Sequence, residues 1–396
     1  MTDTPNQRRL KVCMLTSVHP PFDGRIFHRA AKSLAQAGYE VTLIARHNKE
    51  ETIDGVRLVP LPQPKTRLHR VTQVVWQLYR RAVQEDAEVY HFYDPELMIV
   101  GLLLKRRGKK VIWDVHEHYP NTILGKCYLP RPLRRLIARA FDLFERRAVR
   151  SFDYVIYTTP FVGQRYQTMK VRSGPVENYP ILRLAETFPR TPQPRILYLG
   201  GMARVRGLLE VIEAFALVAP RHPEWELYLV GSSRPPAFEH ELRNLARRRG
   251  IAARTKFVAG VPYEEKERLS SQASIGVITY LPHANNASCL PNKLFDYMLA
   301  GLPVVASDFP LYQDVVEPNC CGLLVDPTRP EQIARALAYL IEHPQEARRM
   351  GENGRRAVRE RYNWERESQR LLQIYEAVLR RASVEGPVGL LEEKRA

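Results

Sequence analysis

"PNKLFDYMLAGLPVVASD", residues 291–308, decides the reading of the chain. Leu294, Phe295, Met298 and Leu299 recur at helical spacing and share one face of a short helix. Gly301 stands where a helix C-cap glycine belongs, and Pro303 prevents the helix from continuing. The run Pro303-Val304-Val305-Ala306 is short and β-branched, as in a strand buried on both faces. Asp296 therefore projects from a helix packed beside a sheet. It is either a solvated acid or a group that holds a ligand.

The same alternation runs through the whole chain. Strands are predicted within 10–18, 40–45, 87–94, 109–117 and 153–159, then within 194–201, 225–233, 255–261, 275–281, 303–308 and 322–326, with helical segments between them. Such alternation argues for α/β architecture with doubly wound parallel sheets. A proline-rich stretch without periodicity, residues 178–195, marks a division. The expected organisation is a domain over 1–185, a second over 186–363, a helix over 364–382 crossing back to the first domain, and a mobile tail over 383–396. In doubly wound sheets ligands sit outside the carboxyl ends of the strands, so the strand-end loops are where chemistry is sought.

The bulk composition excludes several classes. The longest apolar run, Leu97 to Leu104, is far short of the ~20 residues that span a bilayer. "MTDTPNQRRLKVCML" has no long apolar core or small-residue cleavage site, so no secretory signal is read there. Five scattered cysteines form no metal spacing, which predicts a reducing cytosolic setting with neither disulfide nor zinc. The net charge of +17 is uneven: residues 1–190 carry 32 Lys and Arg against 18 Asp and Glu, and the rest carry 28 against 25. A basic excess confined to one half suits a polyanion or an anionic lipid surface. No recognition-helix, zinc or RNP-type signature accompanies it, so nucleic acid is not an expected partner.

Four strand-end segments carry candidate chemistry. In "SVHPPFDGRIFHR" (17–29), Pro20, Pro21 and Gly24 shape a turn before a helix whose free N–H groups could receive an anion. "DVHEHYPN" (114–121) places His116, with Glu117 beside it, where a sugar hydroxyl or phosphate could reach, and "HFYDPE" (91–96) places His91 likewise. In "LGGMARVRG" (199–207), Gly200 and Gly201 permit a tight turn, and Arg204 and Arg206 near a helix start could grip a diphosphate. In "NNASCLPNKLFDYM", a phosphate could lie on the amides of Leu290, Pro291-Asn292 and Lys293, with the Lys293 charge added, and Asp296 one turn on could hold a ribose diol. This is neither a P-loop nor a dinucleotide fingerprint.

Those segments resemble glycosyltransferase family 4, retaining enzymes of the GT-B fold, over roughly residues 10–380. "SVHPPFDGRIFHRAAKSLAQAGYEVTLIA" is similar to the family's first βαβ unit, "YHFYDPEL" with "VIWDVHE" to its middle N-terminal strands, and "ILYLGGMARVRGL" to the start of its C-terminal domain. "PNKLFDYMLAGLPVVASD" followed by "CGLLVDP" is the most specific stretch. The resemblance implies two Rossmann-like domains facing across a cleft. It puts Asp296 on the ribose-binding acid of a Glu-x7-Glu motif whose first acid, a donor-sugar contact, is replaced by Ser288. Arg206 falls on the family's phosphate-binding Lys, Arg204 can substitute for its missing Arg, and His116 falls on a His that touches the donor sugar. Tyr93 stands where related sequences often show a second His.

The implied chemistry is hexosyl transfer from a UDP- or GDP-linked sugar to a lipid-linked or polysaccharide acceptor. It needs no separate cofactor and, with no Asp-x-Asp motif evident, no catalytic metal. Arg204, Arg206, Lys293 and helix-end amides would then stabilise the leaving diphosphate. "LPRPLRRLIARAFDLFERRAVR" (129–150) adds seven arginines to an apolar helical face, a candidate for docking helix 131–150 on the cytoplasmic face of an anionic membrane. Two other readings stay open: a GT-B nucleotide-sugar epimerase or phosphorylase, and an inactive nucleotide- or polyanion-binding relic.

Overall fold

The computed structural model describes residues 9–125, 130–182, 188–233, 235–283, 286 and 289–380. These divide into two units, one reaching to Val176 and resuming at Ser368, the other running Glu177–Glu367.

The first unit is built on β1 (Lys11–Leu15), β2 (Glu40–Arg46), β3 (Glu51–Ile53), β4 (Val56–Leu61), β5 (Val89–Phe92), β6 (Lys110–Val115), β7 (Tyr154–Tyr157) and β8 (Ser173–Pro175). They lie in the order β3-β4-β2-β1-β5-β6-β7-β8. All pairings are parallel except β3 with β4. The second unit carries β9 (Arg195–Leu199), β10 (Glu226–Val230), β11 (Thr255–Val258), β12 (Ile275–Ile278), β13 (Val304–Ser307) and β14 (Gly322–Val325). This sheet is wholly parallel, in the order β11-β10-β9-β12-β13-β14. Strands covered on both faces must be apolar throughout, and Val12–Leu15, Val304–Ala306 and Ile275–Ile278 are.

Every strand predicted from the sequence occurs. The hairpin β3–β4 is additional, turning through Asp54 and Gly55, both at positive φ. So is the three-residue edge strand β8. The division falls at Val176–Glu177, earlier than 185–186, and the helix Trp364–Leu379 is shared, its first turn belonging to the second unit. Local bonds explain that turn: the Trp364 amide donates to the Pro180 carbonyl at 2.8 Å, and the Glu177 amide donates to the Glu367 carboxylate at 2.8 Å. The tail 383–396 lies outside the described residues.

Strand order reverses beside β1 and beside β9, and each reversal leaves a crevice at the carboxyl end of the sheet. The opening stretch is built toward the second crevice. The helix Asn292–Ala300 ends at Gly301 with φ 72°, where the Leu302 amide donates back to the Tyr297 carbonyl at 2.9 Å. Arg190 and Arg355 both donate to the Ala300 carbonyl at 2.9 Å, satisfying the last turn. Leu294, Phe295, Tyr297 and Met298 are buried. The Tyr297 ring occupies the space left by Gly276 of β12, where a Cβ would come within 2.4 Å of it. Its hydroxyl then accepts from the Leu199 amide at 2.7 Å.

Gly301→Ala should cost about 1–2 kcal/mol, because an L side chain is disfavoured at positive φ and here also displaces the Arg355 guanidinium. Gly301→Asn should cost less, since Asn tolerates that conformation. Denaturant unfolding of the two variants checks the order, and equal loss in both would reject the backbone explanation.

Candidate functional site

In the second unit the site grows from the turn after β9. Gly200 sits at φ 136° and donates its amide to the Val230 carbonyl at 2.8 Å. Met202 bonds to the Ser232 carbonyl at 3.0 Å, so the turn is stitched to the end of β10. Gly207 closes the Arg204–Arg206 turn at φ 70°, with the Thr279 carbonyl 1.8 Å from where a Cβ would stand. Only glycine fits there. Asn286 holds the same turn by donating to the carbonyls of Val205 and Leu281. The result is a cavity of about 430 Å³ lined by Gly200, Gly201, Met202, Arg206, Ser232 and Lys266, among others.

Cations gather at this cavity. The Arg206 guanidinium lies 4.0 Å over the Tyr280 ring. The Lys293 amine lies 3.9 Å over Tyr198 and 5.1 Å from Tyr280. It stands 2.8 Å from the position a Cβ would take on Gly200, so the glycine makes room for the lysine. Surrounding protein, together with the Arg206 charge, pushes the Lys293 amine well below its usual range, and Asp296 opposes this. A sliver of Lys293 stays open to solvent. Asp296, partly buried, lies three residues further along the same helix. Pro291 precedes the helix in extended conformation without a side-chain cap, and Leu290 and Asn292 flank it. Ser288 lies outside the described residues.

Arg204 does not join them. In the one-turn helix it points away from Arg206, is 63% exposed, and bonds to Glu241 at 2.6 Å. The structure groups Arg206 with Lys266 and Lys293, an arrangement that sequence spacing could not reveal because Lys266 comes from a separate helix, Tyr263–Gln272.

The first unit's crevice holds His116, partly open, at the end of β6. Asp114, two residues back on the same face of the strand, lies under it at 3.6 Å. Arg25 grips Asp114 with two parallel bonds of 2.9 Å and also donates to the Val176 carbonyl. Arg25 and Asp114 are both nearly inaccessible. Burial alone would protonate Asp114, yet Arg25 and the nearby imidazoles hold it well below the carboxylate range. Burial pushes His116 down to about 4 against the pull of Asp114, so its ring is neutral at pH 7. Its neighbour His19 behaves oppositely. Burial is outweighed there by Asp23 and Asp94, which raise it. The two rings meet edge-on, 5.6 Å between centroids.

Sequence reasoning passed over His19 and its organiser Asp94. One oxygen of Asp94 accepts from the Thr16 hydroxyl (2.8 Å) and the amides of Ser17 (2.6 Å) and Val18 (3.1 Å), which shapes the loop after β1. The signal available was an acid at the end of β5, the strand beside β1. Gly24 lies in this loop and accepts from Arg29 at 2.8 Å through its carbonyl. Glu117 is exposed and bonded to Thr122. The reading of His91 as a sugar contact is corrected. It is fully enclosed, bonded to the Tyr375 hydroxyl at 2.9 Å and stacked on Tyr93, with Asp114 at 3.6 Å. Alternation along β5 turns it into the sheet's covered face.

Two doubly wound units, one with a glycine turn and cations at its switch point, define a GT-B protein. The comparisons place it further. Residues 184–357 match the family described as "Glycosyl transferases group 1", and residues 24–180 match "Glycosyl transferase 4-like domain". Together these matches take in most of the chain, and it belongs to the family 4 glycosyltransferases. It is 30% identical to the MMP alpha-(1->4)-mannosyltransferase of Mycolicibacterium hassiacum over 34% of this chain and 32% of that protein. To the phosphatidyl-myo-inositol mannosyltransferase of Mycolicibacterium smegmatis it is 24% identical over 88% of each. The structure of sucrose-phosphate synthase from Thermosynechococcus elongatus superposes with TM-score 0.74 and 22% identity, covering 95% of this chain and all of that one. Against the first curated relatives the match spans only about a third to a half of their length.

Arg25→Met should destabilise the protein by about 3–5 kcal/mol at neutral pH, because it leaves Asp114 ionised and unpaired in the core. In the wild type Asp114 lies below its unfolded value, so it contributes stability above that value and loses it as pH falls through the lowered one. In the variant the carboxyl is raised by burial and is relieved by protonation. The difference between the two proteins should therefore shrink toward acid pH in chemical unfolding. A deficit that is constant with pH would reject the charge account.

Proposed function

We propose that this protein is a retaining hexosyltransferase that takes the sugar of a UDP- or GDP-sugar and passes it to a lipid-linked or saccharide acceptor without a metal ion. The observation that carries the reading is the cavity of the second unit. Arg206, Lys266 and Lys293 surround a glycine turn able to admit a diphosphate closely, and Asp296 lies one helical turn from Lys293. Those cations supply the charge that a leaving diphosphate needs. Asp296 accepts the ribose hydroxyls, and Asn292 and Lys293 offer helix-start amides. Retention follows if the leaving phosphate takes the acceptor's proton on the face it departs from. His116, neutral near pH 7, serves as a sugar contact that donates or accepts a hydrogen bond without carrying charge. Four of the curated relatives are mannosyltransferases by name, which favours transfer over epimerisation or an inactive relic.

Calorimetry with UDP, GDP and ADP, without divalent metal, tests this. One nucleotide should bind to the wild type, and Asp296→Ala should weaken it by about tenfold or more, in keeping with the loss of a charge-assisted bond of ~1.5–3 kcal/mol. Equal affinity of wild type and variant would reject the ribose assignment, and no binding at all would reject the donor reading.

A lipid-linked acceptor is supported by a second observation. The helix Arg131–Ala148, read from the sequence as a candidate for membrane docking, buries Ala138, Glu145 and Ala148 and leaves most of its large apolar residues outward. Leu136 is 65% exposed and Leu143 55%, alongside exposed Arg135, Arg139 and Arg146. The physical reason is Glu145, which turns inward to bond Arg165 and Tyr166 and so sets the rotation of the helix. Outward leucines interleaved with arginines fit the boundary between headgroups and acyl chains of an anionic membrane. Among the described residues no helix is long and apolar enough to cross one. The protein should co-sediment with vesicles containing anionic lipid and not with neutral vesicles, and Leu136→Glu with Leu143→Glu should abolish this. Equal sedimentation with both vesicle types would exclude docking through this helix.

A further inference from the structure

Two cations at the phosphate cavity, Arg206 and Lys293, rest on aromatic rings. Among the described residues, the groups facing Lys293 are Arg206 from the turn after β9, Lys266 from the helix Tyr263–Gln272, Asp296 on its own helix, and the rings of Tyr198 on β9 and Tyr280 just past β12. Asp296 is the single acid in that set. Among the described residues no hydrogen-bond acceptor meets the Lys293 amine. Tyr280 serves two cations, Arg206 at 4.0 Å and Lys293 at 5.1 Å from its ring centre. Tyr198 serves the lysine with its face and the turn with its hydroxyl, which donates to the Gly201 carbonyl at 2.8 Å. Both tyrosines are nearly inaccessible.

A ring face attracts a cation through its quadrupole without neutralising it. A carboxylate in the same place would hold the cation just as firmly, but it would also repel an incoming phosphate. Rings therefore fix the position of the positive groups and leave their charge available.

We propose that Tyr198 and Tyr280 are positioning residues that hold Lys293 and Arg206 against the Gly200–Gly201 turn, so that a diphosphate meets its cationic donors already in place. This rests on the nucleotide-diphosphate reading above. The lowering of Lys293 agrees with this: enclosure and the Arg206 charge disfavour the ammonium form, and the negative charge of a diphosphate offsets them.

The test is calorimetry of UDP and GDP, with the matching nucleosides, on wild type, Tyr280→Leu, Tyr280→Phe and Tyr198→Phe. Tyr280→Leu should weaken the diphosphate about tenfold and leave the nucleoside unchanged, as expected for loss of a desolvated cation–ring contact. Tyr280→Phe, which keeps the ring, should restore most of the affinity, and Tyr198→Phe should lose only the share due to the Gly201 bond. The proposal is overturned if Tyr280→Leu binds the diphosphate normally, or if it loses nucleoside and diphosphate equally. Failure of the wild type to bind any nucleotide would remove the donor reading and this inference together.

Discussion

One hydrogen bond sets the second unit's site in register: the Leu199 amide donating to the Tyr297 hydroxyl at 2.7 Å. Leu199 is the last residue of β9, and its amide would otherwise be buried without a partner. Tyr297 can reach it only because β12 carries Gly276 where any side chain would collide with the ring. The bond thus ties a helix, a central strand and a neighbouring strand at one point. Lys293 lies one turn before Tyr297, so the same tie brings its amine beside Gly200.

The first unit solves a different problem. A carboxylate near the carboxyl end of the interior strand β6 must be kept ionised where water cannot reach it. Asp114 is kept so by a bidentate arginine from the loop after β1, and the arrangement is rigid because both partners have no other exit. Above it His116 stays neutral, while His19 is drawn toward its charged form by two other acids. Two imidazoles in edge contact are thus held in opposite tendencies by their surroundings alone.

Periodicity and glycine placement were enough to read both sheets, because buried parallel strands leave short apolar runs and their turns demand particular residues. Gly301 is an instance: its position in the sequence announced a left-handed cap, and φ 72° is what it adopts. Side-chain direction was less legible. Arg204 and Arg206 look equivalent as letters, yet a one-turn helix sends them to different neighbours. His91 looks like a strand-end ligand, and only the pairing of β5 between β1 and β6 shows that it faces inward. The arginine-rich helix showed its apolar residues but not its rotation, which Glu145 decides through partners twenty residues away. His19 and Asp94 were missed for the related reason that they become neighbours only when β1 and β5 pair.

The helix Trp364–Leu379 completes the first unit with residues made last. Tyr375 is fully buried there, bonded to His91 and packed against Tyr39. A chain emerging from the ribosome at ~5–20 residues per second would finish β8 on the order of 10–40 s before Tyr375 is available. During that interval the histidine beneath the sheet has no hydroxyl to bond, and its pocket stands open. The second unit, continuous in sequence from Glu177 to Glu367, has no such wait. Its core can close first although it is synthesised second, so the order of folding along this chain need not follow the order of translation.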